Sequence, residues 1–253
     1  MAIRSSISRD TAAAYRRSDT LARVLPIATV LVDFDGTACA HDVAEHLLIE
    51  FGDPSWAEYD AAWERGELDS RRVIAAQASM LGAPMETMLA FALDHCPIEP
   101  TFPGFVRWLA TEGVPVTVVS DGFGFYIEPI LRAGGIDGVP VITNTWSANG
   151  RDRVRFDNGH VECIGCGTCK MDAVLGARQR GSVAFVGDGA SDRYGALYAD
   201  VAFAKDALVE IARADNVPFL PWGSFDDVRA QLEGLRDVPG PVGAERCPGW
   251  RTA

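Results

Sequence analysis

Three runs of β-branched and aromatic residues each break off into an acidic cluster. They are "VLVDFDGT" (30–37), "VTVVSDG" (116–122) and "VAFVGDGASD" (183–192). Unbroken apolar runs of this length read as strands buried on both faces, which means a parallel sheet covered by helices. Helical patterns fall between them, so the fold class expected is α/β: a doubly wound, mostly parallel, Rossmann-like sheet. Further strands are expected at "VPVITNTW", "RVRF", "VAFA" and "VPFL", with Asn149-Gly150 turning the third into an antiparallel return. The strand after Val116 is expected to stop at Ser120.

Between the first two strands, apolar residues recur at helical spacing in "DVAEHLLIEF", "RRVIAAQASML" and "METMLAFAL". The division expected is an arm over 1–25, a core over 26–40 and 100–236, a helical cap over 41–99, and an irregular tail over 237–253. Trp56, Tyr59 and Trp63, at helical spacing, are expected to pack inside the cap.

In a sheet of this kind ligands bind beyond the carboxyl ends of the strands. That rule gathers Asp33 and Asp35, Ser120 and Asp121, and Asp188 and Asp192 at one edge. Asp33, Asp35, Asp188 and Asp192 would crowd four carboxylates there, which repel one another and raise each other's pKa. A hard divalent cation removes the conflict, and Mg²⁺ favours a few carboxylates plus phosphate oxygens. Ser120 offers a hydroxyl, the following turn amides (Gly122 among them) can cradle phosphate oxygens, and Lys170 at a helix start offers an ammonium.

These four segments, "DFDGT", "SDG", the "CK" at Lys170 and "GDGASD", resemble in order the motifs of haloacid-dehalogenase-type phosphatases. The resemblance implies that Asp33 is the nucleophile and that Asp35 protonates the leaving alcohol and then activates water. It implies Mg²⁺ on Asp33, the Asp35 carbonyl, Asp188 and Asp192, phosphate held by Ser120, Asp121, Gly122, Lys170 and Thr37, and Thr37 also fixing the loop. A helical insert after the first motif is similar to the cap of the phosphoserine-phosphatase-like branch. The Cys-rich run before Lys170 is similar to the methionine-salvage phosphatases for 2-hydroxy-3-keto-5-methylthiopentenyl-1-phosphate. Two departures stand out: the second motif reads Ser-Asp-Gly where Ser-Gly-Gly is usual, and no cap Arg matches the one that grips phosphoserine. Asp42 falls near the cap Glu, and with His41 it is the candidate for substrate contact.

The implied substrate is a small phosphorylated metabolite. A phosphotransferase of the same superfamily and a non-catalytic receiver-like signalling domain are the alternatives. The net charge of −12 argues against nucleic acid as a partner. No apolar run reaches transmembrane length, and the N-terminal run lacks the apolar core of a signal peptide, so a cytoplasmic location off the membrane is expected. A homodimer is compatible with the sequence. His160, Cys163, Cys166 and Cys169 recur every three residues, which allows a zinc site, but such even spacing in one short loop favours reduced thiols that pack it.

Overall fold

The computed structural model describes residues 25–147, 153–163, 165–241 and 247. The expected N-terminal arm, the Asn149-Gly150 turn and most of the tail beyond 241 lie outside the described residues.

Seven strands form one sheet: β1 (Thr29–Val32), β2 (Val116–Phe123), β3 (Val141–Trp146), β4 (Val154–Arg155), β5 (Val183–Gly187), β6 (Val201–Ala204) and β7 (Phe219–Pro221). Their order is β4-β3-β2-β1-β5-β6-β7, and only the β3–β4 pair is antiparallel. β1 sits at the centre, with Val32 opposite Val118 of β2 on one side and Val186 of β5 on the other. The next strand in sequence, β2, lies to one side of β1, while the second half of the sheet grows to the other side. That reversal opens a crevice at the carboxyl ends of β1, β2 and β5.

The central strands bury both faces, as their uninterrupted apolar runs require. Val30, Val32, Val116 and Val118 face one apolar cluster with α5 (Phe102–Thr111), α6 (Gly124–Ala133) and α10 (Phe225–Gly234). Leu31, Val119, Val183 and Phe185 face a second, with α7 (Lys170–Arg178), α8 (Arg193–Tyr198) and α9 (Asp206–Ala214). This is the α/β, doubly wound, mostly parallel sheet that the strand runs imply. Helices α9 and α10 go beyond the sequence reading; each buries apolar residues four apart, Leu208 with Ala212 and Val228 with Leu232.

Four helices lie between β1 and α5: α1 (Val43–Phe51), α2 (Trp56–Glu64), α3 (Ser70–Met80) and α4 (Met85–His95). Asp42 and Asp69 cap α1 and α3, each carboxylate accepting an amide three residues on at 2.9 Å. Val43, Leu47 and Leu48 of α1 and Met88 and Ala92 of α4 join the apolar cluster on the sheet. By contrast, α2 contains no fully buried residue: Trp56 packs half-buried against the cluster on the sheet, while Tyr59 and Trp63 do not join it.

The second strand differs from its expected length: β2 runs on through Ser120, Asp121 and Gly122 to Phe123. The extension is held by a register shift against β3, where Phe123 pairs with Asn144, and by the Thr143 hydroxyl donating to the Gly122 carbonyl at 2.7 Å.

Candidate active site

Asp33 follows β1 directly, with its amide donating to the Val186 carbonyl at 2.9 Å. The chain then turns tightly through Phe34–Ala38, where Gly36 takes φ +70° and a Cβ would collide with the Asp188 carboxylate. This turn brings Asp33 and Asp35 to the same cavity, and the Asp33 side chain is 7% exposed. The cavity has a volume of about 300 Å³. Ser120, Asp121 and Gly122 from β2 and Asp188 to Ser191 after β5 form its floor with the two aspartates.

The two aspartates have different surroundings. Lys170 Nζ donates to Asp33 Oδ1 at 2.6 Å, to Asp192 Oδ1 at 2.7 Å and to Ser191 Oγ at 2.9 Å. Burial and the neighbouring Asp192 push the Asp33 carboxyl well up, and Lys170 opposes them. Burial pulls the Lys170 ammonium down, but Asp192 and Asp33 outweigh it and its net shift is upward. Asp35 has no cation in contact among the described residues: its Oδ1 accepts from the Val43 amide at 2.9 Å and its Oδ2 from the Ser120 hydroxyl at 3.3 Å. Burial, with Asp42 adding to it, holds the Asp35 carboxyl well above the usual range. A carboxyl so placed can carry a proton and hand it on.

Among the described residues one group brings three possible ligands together, an oxygen of each of Asp33, Asp188 and Asp192 lying within 4.8 Å of one another. Such an all-oxygen donor set fits a hard divalent cation such as Mg²⁺. Thr37 donates to Asp188 Oδ1 at 2.6 Å, and burial pushes the Asp188 carboxyl up to about 6. Asp192 Oδ2 accepts the amides of Asp188 and Gly189 at 2.9 and 3.0 Å, so it also fixes the loop that carries Asp188.

Several expected site residues stand slightly apart from the cavity. Thr37 is fully buried and ties the β1 loop to the β5 loop. Lys170 lies buried behind Asp33, outside the lining. Asp121 lines the cavity, yet its Oδ1 accepts the Thr168 amide and its carbonyl the Asn144 amide, both at 2.6 Å. The Asp of Ser-Asp-Gly therefore holds the loop that leads to Lys170. Asp42 lines the cavity, whereas His41 is exposed and turned to the His46 ring.

The sequence reading passes over Ser191, Asp60, Gln77, Ser70 and Ile74 and places Trp63 in a core, yet all six line the cavity. Gln77 donates to Asp60 Oδ1 at 2.7 Å and the Trp63 indole to Ser70 Oγ at 3.1 Å. The missed signal is compositional: Asp60, Trp63, Ser70 and Gln77 are polar or amphipathic groups on the inward side of α2 and α3.

The four candidate zinc ligands do not meet at one point. Cys163 Sγ accepts the Gly165 amide and Cys169 Sγ the Asp172 amide, both at 3.4 Å, and Cys169 packs with Met171 and Cys247. These contacts are those of thiols that pack a loop.

Residues 30–196 match the haloacid dehalogenase-like hydrolase family. The chain belongs to that family. A 2-hydroxy-3-keto-5-methylthiopentenyl-1-phosphate phosphatase of Bacillus velezensis is 25% identical over 222 residues, covering 83% of this chain and 91% of the relative. One of the same name from Microcystis aeruginosa is 28% identical over 210 residues, covering 82% and 98%. Among solved structures, a phospho-aspartyl intermediate analogue of phosphoserine phosphatase superposes with a TM-score of 0.63 at 17% identity, covering 83% of this chain and 99% of that one. This haloacid dehalogenase-like fold therefore carries its acidic cluster where the central strands end.

Proposed function

We propose that this hydrolase is a Mg²⁺-dependent phosphatase that removes phosphate from a small metabolite through an aspartyl-phosphate on Asp33. The observation that carries the reading is the contrast between Asp33, in contact with the Lys170 ammonium, and Asp35, buried without a cation in contact. The names of the relatives, phosphatases acting on a small phosphate ester, support the same class.

In the first step an Asp33 oxygen attacks phosphorus while the ester P–O bond breaks. The proton on Asp35 passes to the departing oxygen, so that a neutral alcohol leaves. In the second step water attacks the same phosphorus and Asp35 takes its proton. The acyl-phosphate bond then breaks, returning the Asp33 carboxylate and free phosphate. Ser120 keeps Asp35 aimed at the bridging oxygen, and Lys170 holds Asp33 in one rotamer. Asp33, Asp188 and Asp192 would hold Mg²⁺, which when bound supplies positive charge to the phosphoryl oxygens.

Hydrolysis of p-nitrophenyl phosphate or acetyl phosphate is expected with Mg²⁺ and not with EDTA. Asp33→Asn is expected to abolish turnover while leaving the circular dichroism spectrum unchanged. Near-normal rates in that variant would overturn the assignment of the nucleophile.

A further inference from the structure

All six cysteines stand as thiols. Four of them turn to the backbone or lie in the core. Cys39 and Cys96 are wholly buried, and the Cys39 thiol donates to the Cys96 and Pro97 carbonyls at 3.5 and 3.4 Å. Cys163 and Cys169 are buried too, each with its sulfur accepting a backbone amide. At Cys166 and Cys247 thiol meets thiol instead, the Cys166 S–H donating to Cys247 Sγ.

The two partners come from distant parts of the chain. Cys166 lies in the loop ahead of α7 and is half-buried, whereas Cys247 belongs to the C-terminal segment and is 7% exposed. Cys247 is seated against Cys169 and Met171, with Tyr194 and Tyr198 of α8 packed around them. The Tyr194 hydroxyl donates to Cys247 Sγ, and the Arg193 guanidinium, over the Tyr194 ring at 5.4 Å, adds positive charge on that side. Thiol, hydroxyl and guanidinium all favour a negative sulfur at Cys247. A small reagent approaches the pair from the half-buried Cys166, and Cys247 is the nucleophile held behind it.

The other partners of this loop give the contact its reach. The Cys166 carbonyl accepts Arg71 Nε at 2.6 Å, and two residues on the Thr168 amide donates to Asp121. Lys170 then follows, in contact with Asp33. A bond at Cys166 would therefore fix a loop that ties α3 to the core and leads to the buried ammonium.

We propose that Cys166 and Cys247 form a reversible disulfide, a redox modification site that staples the C-terminal segment to the loop ahead of Lys170, with a small-molecule disulfide as oxidant. In the first exchange the reagent's S–S bond breaks, one of its sulfurs joins Cys166 and the other leaves as a thiol. Cys247 Sγ then attacks Cys166 Sγ, and the second small thiol departs. Two protein S–H bonds are lost and one S–S bond forms, and the two protons and two electrons end on the two small thiols. The bond to Cys247, with burial, pushes the Cys166 thiol up, so the exchange is slow near neutral pH and is best followed at equilibrium.

The chain is equilibrated in glutathione buffers of rising oxidised fraction, then unfolded, alkylated and digested for mass spectrometry. A peptide linking Cys166 to Cys247 is expected to grow with the oxidised fraction and to vanish with dithiothreitol, while Cys39, Cys96, Cys163 and Cys169 are alkylated throughout. The bond closes a loop of about 80 residues, so the oxidised protein is expected to unfold at about 1 M higher urea than the reduced one. Cys166→Ser and Cys247→Ser are each expected to lose the linked peptide and the shift, and Cys163→Ser to keep both. A different pairing, no linked peptide at the most oxidising ratio, an oxidised midpoint no higher than the reduced one, or a shift that survives in Cys247→Ser would overturn the assignment. The peptide map and the midpoint difference are both read on the wild-type chain, so a variant that folds poorly leaves them standing.

Discussion

Asp33 and Asp35 stand two residues apart and face the same cavity, yet the chain gives them opposite partners. Lys170 is the reason. It is almost wholly buried between Asp33 and Asp192, and it is the sole cation touching either among the described residues. Removing one partner from a buried ionic group leaves the others uncompensated, which typically costs 3–5 kcal/mol. Lys170→Met is therefore expected to lower stability by about 3 kcal/mol in urea unfolding. It is also expected to cut kcat about 10²–10³-fold, the usual loss when one electrostatic contact to a reacting group is deleted. The sequence makes the acidic positions easy to see, since each carboxylate ends a β-branched run. It hides the work of Asp121, whose carboxylate binds the Thr168 amide 47 residues away.

At the scale of elements, the sheet is legible because a strand's alternation is local and short. Val30 and Val32 face one cluster and Leu31 the other, as period two requires. The helical insert is harder to read. Helix α3 buries Val73 and Ala78, yet Val73 lines the cavity together with Ile74 and Gln77, and its sequence does not distinguish a face turned to a core from one turned to a ligand. Arg71 adds a tie between insert and core: its Nε reaches the Cys166 carbonyl, its amide reaches the Gly165 carbonyl at 3.3 Å, and its guanidinium lies over the Phe156 ring. A hydrogen bond from a charged donor contributes about 1.5–3 kcal/mol. Arg71→Ala is expected to lower the urea midpoint by an amount equal to about 2 kcal/mol. The same variant should leave the circular dichroism spectrum of the sheet intact.

Across the whole molecule, the four inserted helices are not equally attached. The apolar cluster on the sheet continues without a break into α1 and α4, while α2 contributes no buried residue to it. Local stability follows burial of this kind. Amide hydrogen exchange is expected to be slowest in β1, β2 and β5, slow in α1 and α4, and faster in α2 by at least ten-fold. Protection of α2 equal to that of α4 would contradict this. The joints on either side of the α2–α3 pair fall at Gly52–Ser55 and Leu81–Pro84, both short and broken by proline. If metabolites enter from the helical side, the wall cannot lift as one lid, because half of it is rooted in the same apolar mass as the sheet. Admission then belongs to the α2 side of the wall, while α3 stays pinned by Ala78 in that same apolar mass and by Arg71 on the strand-to-helix loop that ends at Lys170.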